Sequence, residues 1–243
     1  MVNARCFLLF AFAALSAAAH AQESTTVEQS TSVKSMFPEQ TANQLAATLD
    51  PDTVVRFRVR VPKADLPGGI LVFVKPADSG ELPQGWASIL DRKNLIWIAA
   101  DDFGNQHPSA QRVLVALMAL KLVQNTQPSF DAKRVYVGGM SGGGRIASMT
   151  ITRFPRHFTG ALYVVGADPW TAAEKPLLPR IAENRYVFVT GSRDFNHGEM
   201  KRLFAKYQAA GVKQALLMDL PGFGHEYPNA GQLSAAIDFL DAR

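Results

Sequence analysis

The chain has 243 residues, of which 47% are hydrophobic and 19% are charged, a balance typical of one globular domain with a large core. Its formal net charge of +4 is small and dispersed, which argues against nucleic acid as a partner. The one cysteine is Cys6, so the chain beyond it offers no disulfide, no metal–thiolate site and no thiol nucleophile. We expect no metal and no other cofactor.

The first residues have the layout of a secretory signal peptide. Arg5 precedes a short apolar run over residues 6–18, and Ala19-His20-Ala21 matches the A-x-A cleavage pattern. We therefore predict a signal peptide over residues 1–21 and a secreted or periplasmic protein. The apolar run is shorter than the roughly 20 residues that span a bilayer, so we expect no stable membrane anchor.

The segment that follows is polar. Residues 22–50 are predicted to be a partly disordered leader, because residues 23–35 are mostly Ser, Thr, Gln and Glu and cannot bury a core. A short helix is predicted over residues 38–49, and a single domain over residues 51–243. The first strand of that domain, residues 53–61, alternates apolar and basic side chains, which indicates an edge strand with one solvated face.

Apolar runs and helical patterns then alternate to the end of the sequence. Buried strands are predicted over residues 70–74, 95–99, 161–165 and 186–190, and further strands over residues 134–137 and 215–220. Helices are predicted over residues 108–124, 199–210 and 229–240. This alternation predicts an α/β fold with a mostly parallel, doubly wound sheet, helices on both faces and functional loops at the carboxyl ends of the strands.

Residues 135–147, VYVGGMSGGGRIA, have the pattern of a strand, a sharp glycine-rich turn and the start of a helix. Within them, Gly139-Met140-Ser141-Gly142-Gly143 fits the nucleophile-elbow motif G-x-S-x-G. Ser141 is therefore the candidate nucleophile. The N–H of Gly142, at the start of the helix, is a candidate oxyanion-hole donor, and Met140 is a candidate substrate contact.

Two phosphate-binding motifs could also account for these glycines. A phosphate-binding P-loop requires Lys followed by Ser or Thr after its last glycine, and this chain has Arg145 and Ile146 there. The dinucleotide motif G-x-G-x-x-A does match residues 142–147, and Asp168 follows the next strand. That interpretation, like a glycine-rich turn without chemistry, stays open unless partners for Ser141 are found.

A serine hydroxyl needs an imidazole to take its proton and a carboxylate to orient that imidazole. His225 is the preferred base, because it lies in a flexible loop after the last strand; His197 is a weaker candidate. Asp194 and Asp168 each follow a strand, and both satisfy the chain order Ser, Asp, His. Asp194 is preferred because it lies one strand nearer to the histidine loop.

With these residues the chain resembles the α/β-hydrolase superfamily, and in particular small secreted esterases similar to polyhydroxyalkanoate depolymerases and feruloyl esterases. The resemblance covers residues 53–243 and also rests on FPRHFTGA over residues 154–161. It implies hydrolysis of a small-molecule or polymeric ester through an acyl-enzyme. Ser141 would be the nucleophile, His225 the general base and Asp194 the orienting acid.

One loop departs from the family pattern. Enzymes of this family usually carry His-Gly after the strand that corresponds to residues 70–74, and the N–H that follows completes the oxyanion hole. Here the loop is KPADSG, residues 75–80. Because proline has no N–H, Ala77 is the predicted second donor, with Asp78 next.

The connection over residues 166–185 is too short to hold a large lid domain, so the site is expected to be open. Trp170 in this connection either lines the substrate site or packs beneath the loop. Two functional alternatives remain: a peptidase on the same scaffold, and a binding protein that kept the fold and lost catalysis.

Overall fold

The computed structural model describes residues 24–64, 68–127 and 129–242. The predicted signal peptide, residues 1–21, lies outside the described residues. The described residues form eight strands in one sheet. These strands are β1 (Thr26–Ser32), β2 (Val54–Arg60), β3 (Gly68–Val74), β4 (Leu95–Ala100), β5 (Phe130–Met140), β6 (Gly160–Val164), β7 (Arg185–Gly191) and β8 (Ala215–Leu220).

The helices connect these strands on both faces of the sheet. They are α1 (Val33–Met36), α2 (Glu39–Leu45), α3 (Ala87–Arg92), α4 (Ser109–Thr126), α5 (Gly142–Arg153), α6 (Leu178–Ile181), α7 (His197–Ala209) and α8 (Ala230–Asp241). Within the described ranges, none of them is both long enough and apolar enough to cross a membrane.

The sheet has the strand order β1-β2-β4-β3-β5-β6-β7-β8. Strand β2 is antiparallel to both of its neighbours, β1 and β4, whereas the pairs from β4 to β8 are parallel. The predicted fold class, a mostly parallel doubly wound sheet with helices on both faces, is confirmed. The carboxyl ends of the parallel strands meet at one edge of the sheet, where the functional loops were expected.

Two hydrophobic cores lie on opposite faces of the sheet. Successive side chains of a strand point to opposite faces, so Ile70 and Val72 of β3 belong to one core, which also contains residues of α4, α5 and α7. Leu71 and Phe73 of the same strand belong to the other core, which also contains residues of α3 and α8. This is why the central strands were detected as continuous apolar runs.

The predicted strands and helices are confirmed, with differences at their ends. Strand β5 begins earlier than predicted. Its first residues include the polar segment Asp-Ala-Lys-Arg at residues 131–134, which is partly exposed and therefore lacks the apolar pattern of a buried strand. The connection between β6 and β7 contains only a short 3₁₀ turn, Lys175–Leu177, and the one-turn helix α6. The prediction that no large lid domain is present is therefore confirmed.

The prediction of a disordered leader over residues 23–35 is wrong for Thr26–Ser32, which form β1. Seven residue pairs join β1 to β2, from Thr26 with Arg60 to Ser32 with Val54. Backbone hydrogen bonds hold an edge strand even when its side chains are polar, and polar side chains protect such an edge from aggregation. The prediction that residues 53–61 form an edge strand is also wrong, because β1 pairs with the outer side of β2 and is itself the edge strand.

The contribution of β1 to stability can be measured by truncation. A variant that begins at Val33 should have a free energy of unfolding at least about 2 kcal/mol lower than a variant that begins at Ser24, because each backbone hydrogen bond contributes about 1 kcal/mol net. Urea denaturation followed by circular dichroism measures both. Equal stabilities would mean that residues 24–32 contribute as little as a disordered leader does.

Candidate active site

Ser141 lies between the end of β5 and the first residue of α5. Its backbone angles are φ 54° and ψ −123°, a strained conformation for a residue with a side chain. Glycine flanks it where the backbone is crowded: a Cβ at Gly139 would overlap the carbonyl of Gly143, and a Cβ at Gly143 would overlap the carbonyl of Val74. The motif therefore forms a tight turn that presents the serine hydroxyl at the carboxyl edge of the sheet.

The structure brings His225 and Asp194 to this serine. Nε2 of His225 lies 2.8 Å from Oγ of Ser141, and Nδ1 lies 2.8 Å from Oδ1 of Asp194. A carboxylate can only accept, so Nδ1 carries the hydrogen of the neutral ring and Nε2 is free to accept the serine proton. The three residues thus form one hydrogen-bonded chain from carboxylate to hydroxyl.

Asp194 is held in place by hydrogen bonds from residues close to it in the chain. Its side chain has 0% exposure. Oδ2 accepts a hydrogen bond from Oγ1 of Thr190 at 3.1 Å, and Oδ1 accepts one from the backbone N–H of Asn196 at 3.2 Å. These donors compensate for the burial of the carboxylate and aim it at the histidine ring.

Asp168, the alternative acid, has a different partner. Oδ1 of Asp168 accepts a hydrogen bond from Nη1 of Arg145 at 2.5 Å. The same guanidinium donates to both carboxylate oxygens of Glu199 at 2.8 Å. The hydrogen bonds from Arg145 lower the pKa of Glu199. Asp168 therefore joins the loop after β6 to Arg145 of α5, and Arg145 in turn joins α5 to Glu199 of α7.

His197, the weaker histidine candidate, is paired with Asp219. Its Nε2 lies 2.7 Å from Oδ1 of Asp219, and Lys201 contacts the other oxygen of that carboxylate at 2.9 Å. The three side chains form a partly exposed ion cluster between α7 and β8. The hydrogen bond from Lys201 contributes most to lowering the pKa of Asp219.

The loop that carries His225 is anchored at its far end. The indole N–H of Trp86 donates to the carbonyl of Pro228 at 2.8 Å. The ring of Tyr227 lies 6.0 Å from that of Trp86 and 6.3 Å from that of Phe73, and burial raises the pKa of Tyr227 to about 12. The loop was described as flexible from its glycines, but these contacts hold it against β3 and α3.

The loop over residues 75–80 runs beside the elbow. The carboxylate of Asp78 accepts from the backbone N–H of Gly104 at 2.8 Å and from the side chain of Gln106, so it is engaged by the loop after β4. The backbone N–H of Ala77 makes no hydrogen bond within the described part of the chain, and the residue is exposed. Ala77 stays the predicted second oxyanion donor beside Gly142.

The two predicted substrate contacts are both largely buried. Met140 is 7% exposed and packs in the core on the α3 and α8 side of the sheet. Trp170 packs with its ring 5.1 Å from that of Tyr207, and Lys206 lies over its face at 4.8 Å. The packing alternative accounts for Trp170, and a substrate contact at Met140 remains a prediction.

Sequence reasoning missed three residues around Ser141, His225 and Asp194. Thr190 and Asn196 support Asp194, and their nearness in sequence, four residues before it and two after it, was an available signal. Phe195 stacks on the ring of His225 at a centroid distance of 4.1 Å while 78% exposed. No sequence pattern indicated that contact. Among the described residues, no group of three or more His, Cys, Asp or Glu side chains is placed to hold a metal ion.

The strand order, with a serine at the sharp turn after β5, is that of the α/β-hydrolase fold. No protein-family model matches the sequence, and no curated protein sequence matches it. Solved structures do match the fold, at identities that carry information on fold alone. The resemblance to the α/β-hydrolase superfamily, feruloyl esterase structures included, is confirmed at that level.

Three of these structures illustrate the range. S-formylglutathione hydrolase from Staphylococcus aureus is similar with a TM-score of 0.66 and 13% identity, over 90% of this chain and 99% of that one. A ferulic acid esterase is similar with a TM-score of 0.64 and 13% identity, over 90% of this chain and 98% of that one. Acylaminoacyl peptidase from Pyrococcus horikoshii is similar with a TM-score of 0.55 and 10% identity, over 76% of this chain and 38% of the peptidase chain.

The two aspartates can be separated by substitution. Asp194→Asn should slow the labelling of Ser141 by a fluorophosphonate by about 10⁴-fold, because an amide no longer holds the histidine in the required tautomer. Asp168→Asn should change the rate by less than about tenfold and instead lower the melting temperature, since Arg145 loses a partner. Labelling rates and thermal melts of both variants test this. A larger loss of labelling in Asp168→Asn would reverse the assignment.

Proposed function

We propose that the protein is a secreted or periplasmic serine hydrolase that cleaves carboxylic esters through an acyl-enzyme. The observation that carries this proposal is the hydrogen-bonded chain from Asp194 through His225 to Ser141, with both ring nitrogens at 2.8 Å from their partners. A buried, oriented carboxylate and a strained, presented serine are the two features that this chemistry requires.

The proposed reaction has two halves. Oγ of Ser141 attacks the ester carbonyl carbon as its proton passes to Nε2 of His225, and the carbonyl oxygen becomes an oxyanion. The N–H of Gly142, at the positive end of α5, donates to that oxygen. Collapse of the intermediate breaks the bond to the alcohol, which takes the proton from His225. Water then attacks the acyl-enzyme by the same route and restores the serine.

An ester substrate is suggested by the names of structures with the same fold. They include a ferulic acid esterase and a thermostable esterase, beside the acylaminoacyl peptidase that motivates the alternative. The short connection between β6 and β7 adds no covering domain among the described residues. An open site of this kind suits a small or a polymeric ester, and nothing in the charge pattern favours nucleic acid.

Ester turnover is the direct test. Wild type should hydrolyse a short-chain aryl ester, and Ser141→Ala should lose activity on the order of 10⁶-fold, because no other group replaces the nucleophile. Ser109→Ala, at an exposed serine that starts α4, is the matched control and should retain full activity. A fluorophosphonate should label wild type and Ser109→Ala but not Ser141→Ala.

The same assay separates the alternatives. Faster turnover of aminoacyl amides than of esters would favour a peptidase. Absence of turnover and of labelling in wild type would favour a binding protein without catalysis, whereas ester turnover that His225→Ala abolishes would exclude it. Assay of periplasmic, secreted and cytosolic fractions of the producing cells tests the location, and activity confined to the cytosol would contradict export.

Phe195 is proposed to contact the apolar part of the substrate. The exposed large hydrophobic side chains among the described residues are Val27, Val54 and Phe195. Val27 and Val54 lie on β1 and β2, whereas Phe195 stacks on the base of the proposed triad. An exposed apolar side chain beside reacting groups is stabilised when a substrate covers it.

Substitution of Phe195 tests this contact. Phe195→Ala should raise KM for an aryl ester of a long or aromatic acid by about tenfold, because burial of the ring contributes roughly 1–2 kcal/mol. The KM for the corresponding acetate should change less. Equal changes in kcat for both esters, with KM unaltered, would indicate that Phe195 acts only through the histidine ring.

A further inference from the structure

The loop after β4 reaches over the elbow and packs on Gly142. A Cβ added to Gly142 would overlap Oδ1 of Asn105 and would lie 2.7 Å from its Cγ and 2.9 Å from its Nδ2. The carboxamide of Asn105 therefore occupies the space that any larger residue at position 142 would fill. The elbow motif does not itself require glycine there, so this close contact explains why this chain carries one.

Arg112 determines which way that carboxamide faces. Nη1 of Arg112 donates a hydrogen bond to Oδ1 of Asn105 at 3.1 Å. A guanidinium has no acceptor, so the atom that faces it must be the amide oxygen, and the NH₂ group is turned away from Arg112. That NH₂ group makes no hydrogen bond to another described residue, and Asn105 is exposed at the site.

Arg112 also joins this loop to the loop over residues 75–80. The side chain is 4% exposed; Nε donates to the carbonyl of Phe103 at 3.1 Å, and Nη2 donates to the carbonyl of Lys75 at 2.9 Å. The backbone N–H of Asn105 adds a bond to the carbonyl of Pro76 at 2.8 Å. Burial lowers the pKa of Arg112 to about 10, so it stays charged at neutral pH.

The amide nitrogen of Asn105 is within reach of the oxyanion. Since N and Cβ of one residue are about 2.5 Å apart, the backbone nitrogen of Gly142 and Nδ2 of Asn105 are separated by less than about 5.5 Å. One oxygen atom can accept hydrogen bonds of about 3 Å from two nitrogens at that separation.

We infer that Asn105 is a further catalytic residue, whose side-chain amide donates to the oxyanion, and that Arg112 is its positioning residue. This rests on the proposed ester hydrolysis. The loop over residues 75–80 departs from the family pattern at Pro76, which has no N–H. Asn105, in the loop after the neighbouring strand β4, would supply a hydrogen-bond donor in compensation. Such a donor raises kcat to the extent that its hydrogen bond to the oxyanion is stronger than its hydrogen bond to the substrate carbonyl.

Two substitutions at Asn105 distinguish this role from a structural one. Asn105→Ala should lower kcat by about a hundredfold with little change in KM, as loss of one oxyanion donor does. Asn105→Asp keeps the hydrogen bond from Arg112 but has no NH₂ and adds negative charge, so it should be slower still. A merely structural role predicts the opposite order, because the aspartate preserves the contact with Arg112.

Gly142→Ala gives an independent check. Its methyl group would displace Asn105, so it should lower kcat in wild type but have little further effect in Asn105→Ala. Inhibition by a boronic acid, which forms a tetrahedral adduct, should weaken in parallel with kcat in each variant. Ser109→Ala is again the control, and thermal melts verify that each variant is folded.

The outcomes separate the two proposals. If wild type is active and Asn105→Ala stays within about twofold of it, the inference is overturned while the proposed function stands. The same holds if Asn105→Asp is more active than Asn105→Ala. If wild type has neither ester turnover nor fluorophosphonate labelling, the proposed function fails, and this inference fails with it.

Discussion

The close approach of backbone segments around Ser141 is the constraint on which the rest of the site depends. Any Cβ at Gly143 would overlap the carbonyl of Val74, and any Cβ at Gly144 would overlap that of Gly166. Because these carbonyls belong to the ends of neighbouring strands, the elbow, the loop after β3 and the loop after β6 are fixed in one arrangement. A serine can be held at φ 54° only where its surroundings are determined so completely.

Two aspartates at neighbouring strand ends have different environments and different hydrogen-bond partners. Asp194 is fully buried, accepts hydrogen bonds from neutral groups and is left with the histidine ring as its partner for charge stabilisation. Asp168 is partly exposed and is neutralised by Arg145, which Glu199 also contacts. A carboxylate already paired with a guanidinium has little influence on a distant imidazole. Burial and pairing, more than position in the chain, separate them.

Much of the fold follows from local patterns. The runs that form β3, β4, β6 and β7 are apolar because both faces are covered, and periodic apolar residues predict α4 and α8. Strand β1 has no such signal. Its side chains are polar and mostly exposed, and what holds it is backbone pairing with a segment about thirty residues away. An apolar pattern shows which side chains are buried, but it gives no information on which backbone segments pair with each other.

The sequence by itself determined the candidate nucleophile, the preferred base and two candidate acids, because a glycine-rich turn and strand-end loops require particular residues at particular places. Only the tertiary structure decided between Asp194 and Asp168, since that choice depends on which side chain Arg145 reaches. It also placed Phe195 on the histidine and Asn105 over Gly142. Such contacts join residues far apart in the chain, and no local pattern specifies them, because they arise when separate loops converge at one edge of the sheet.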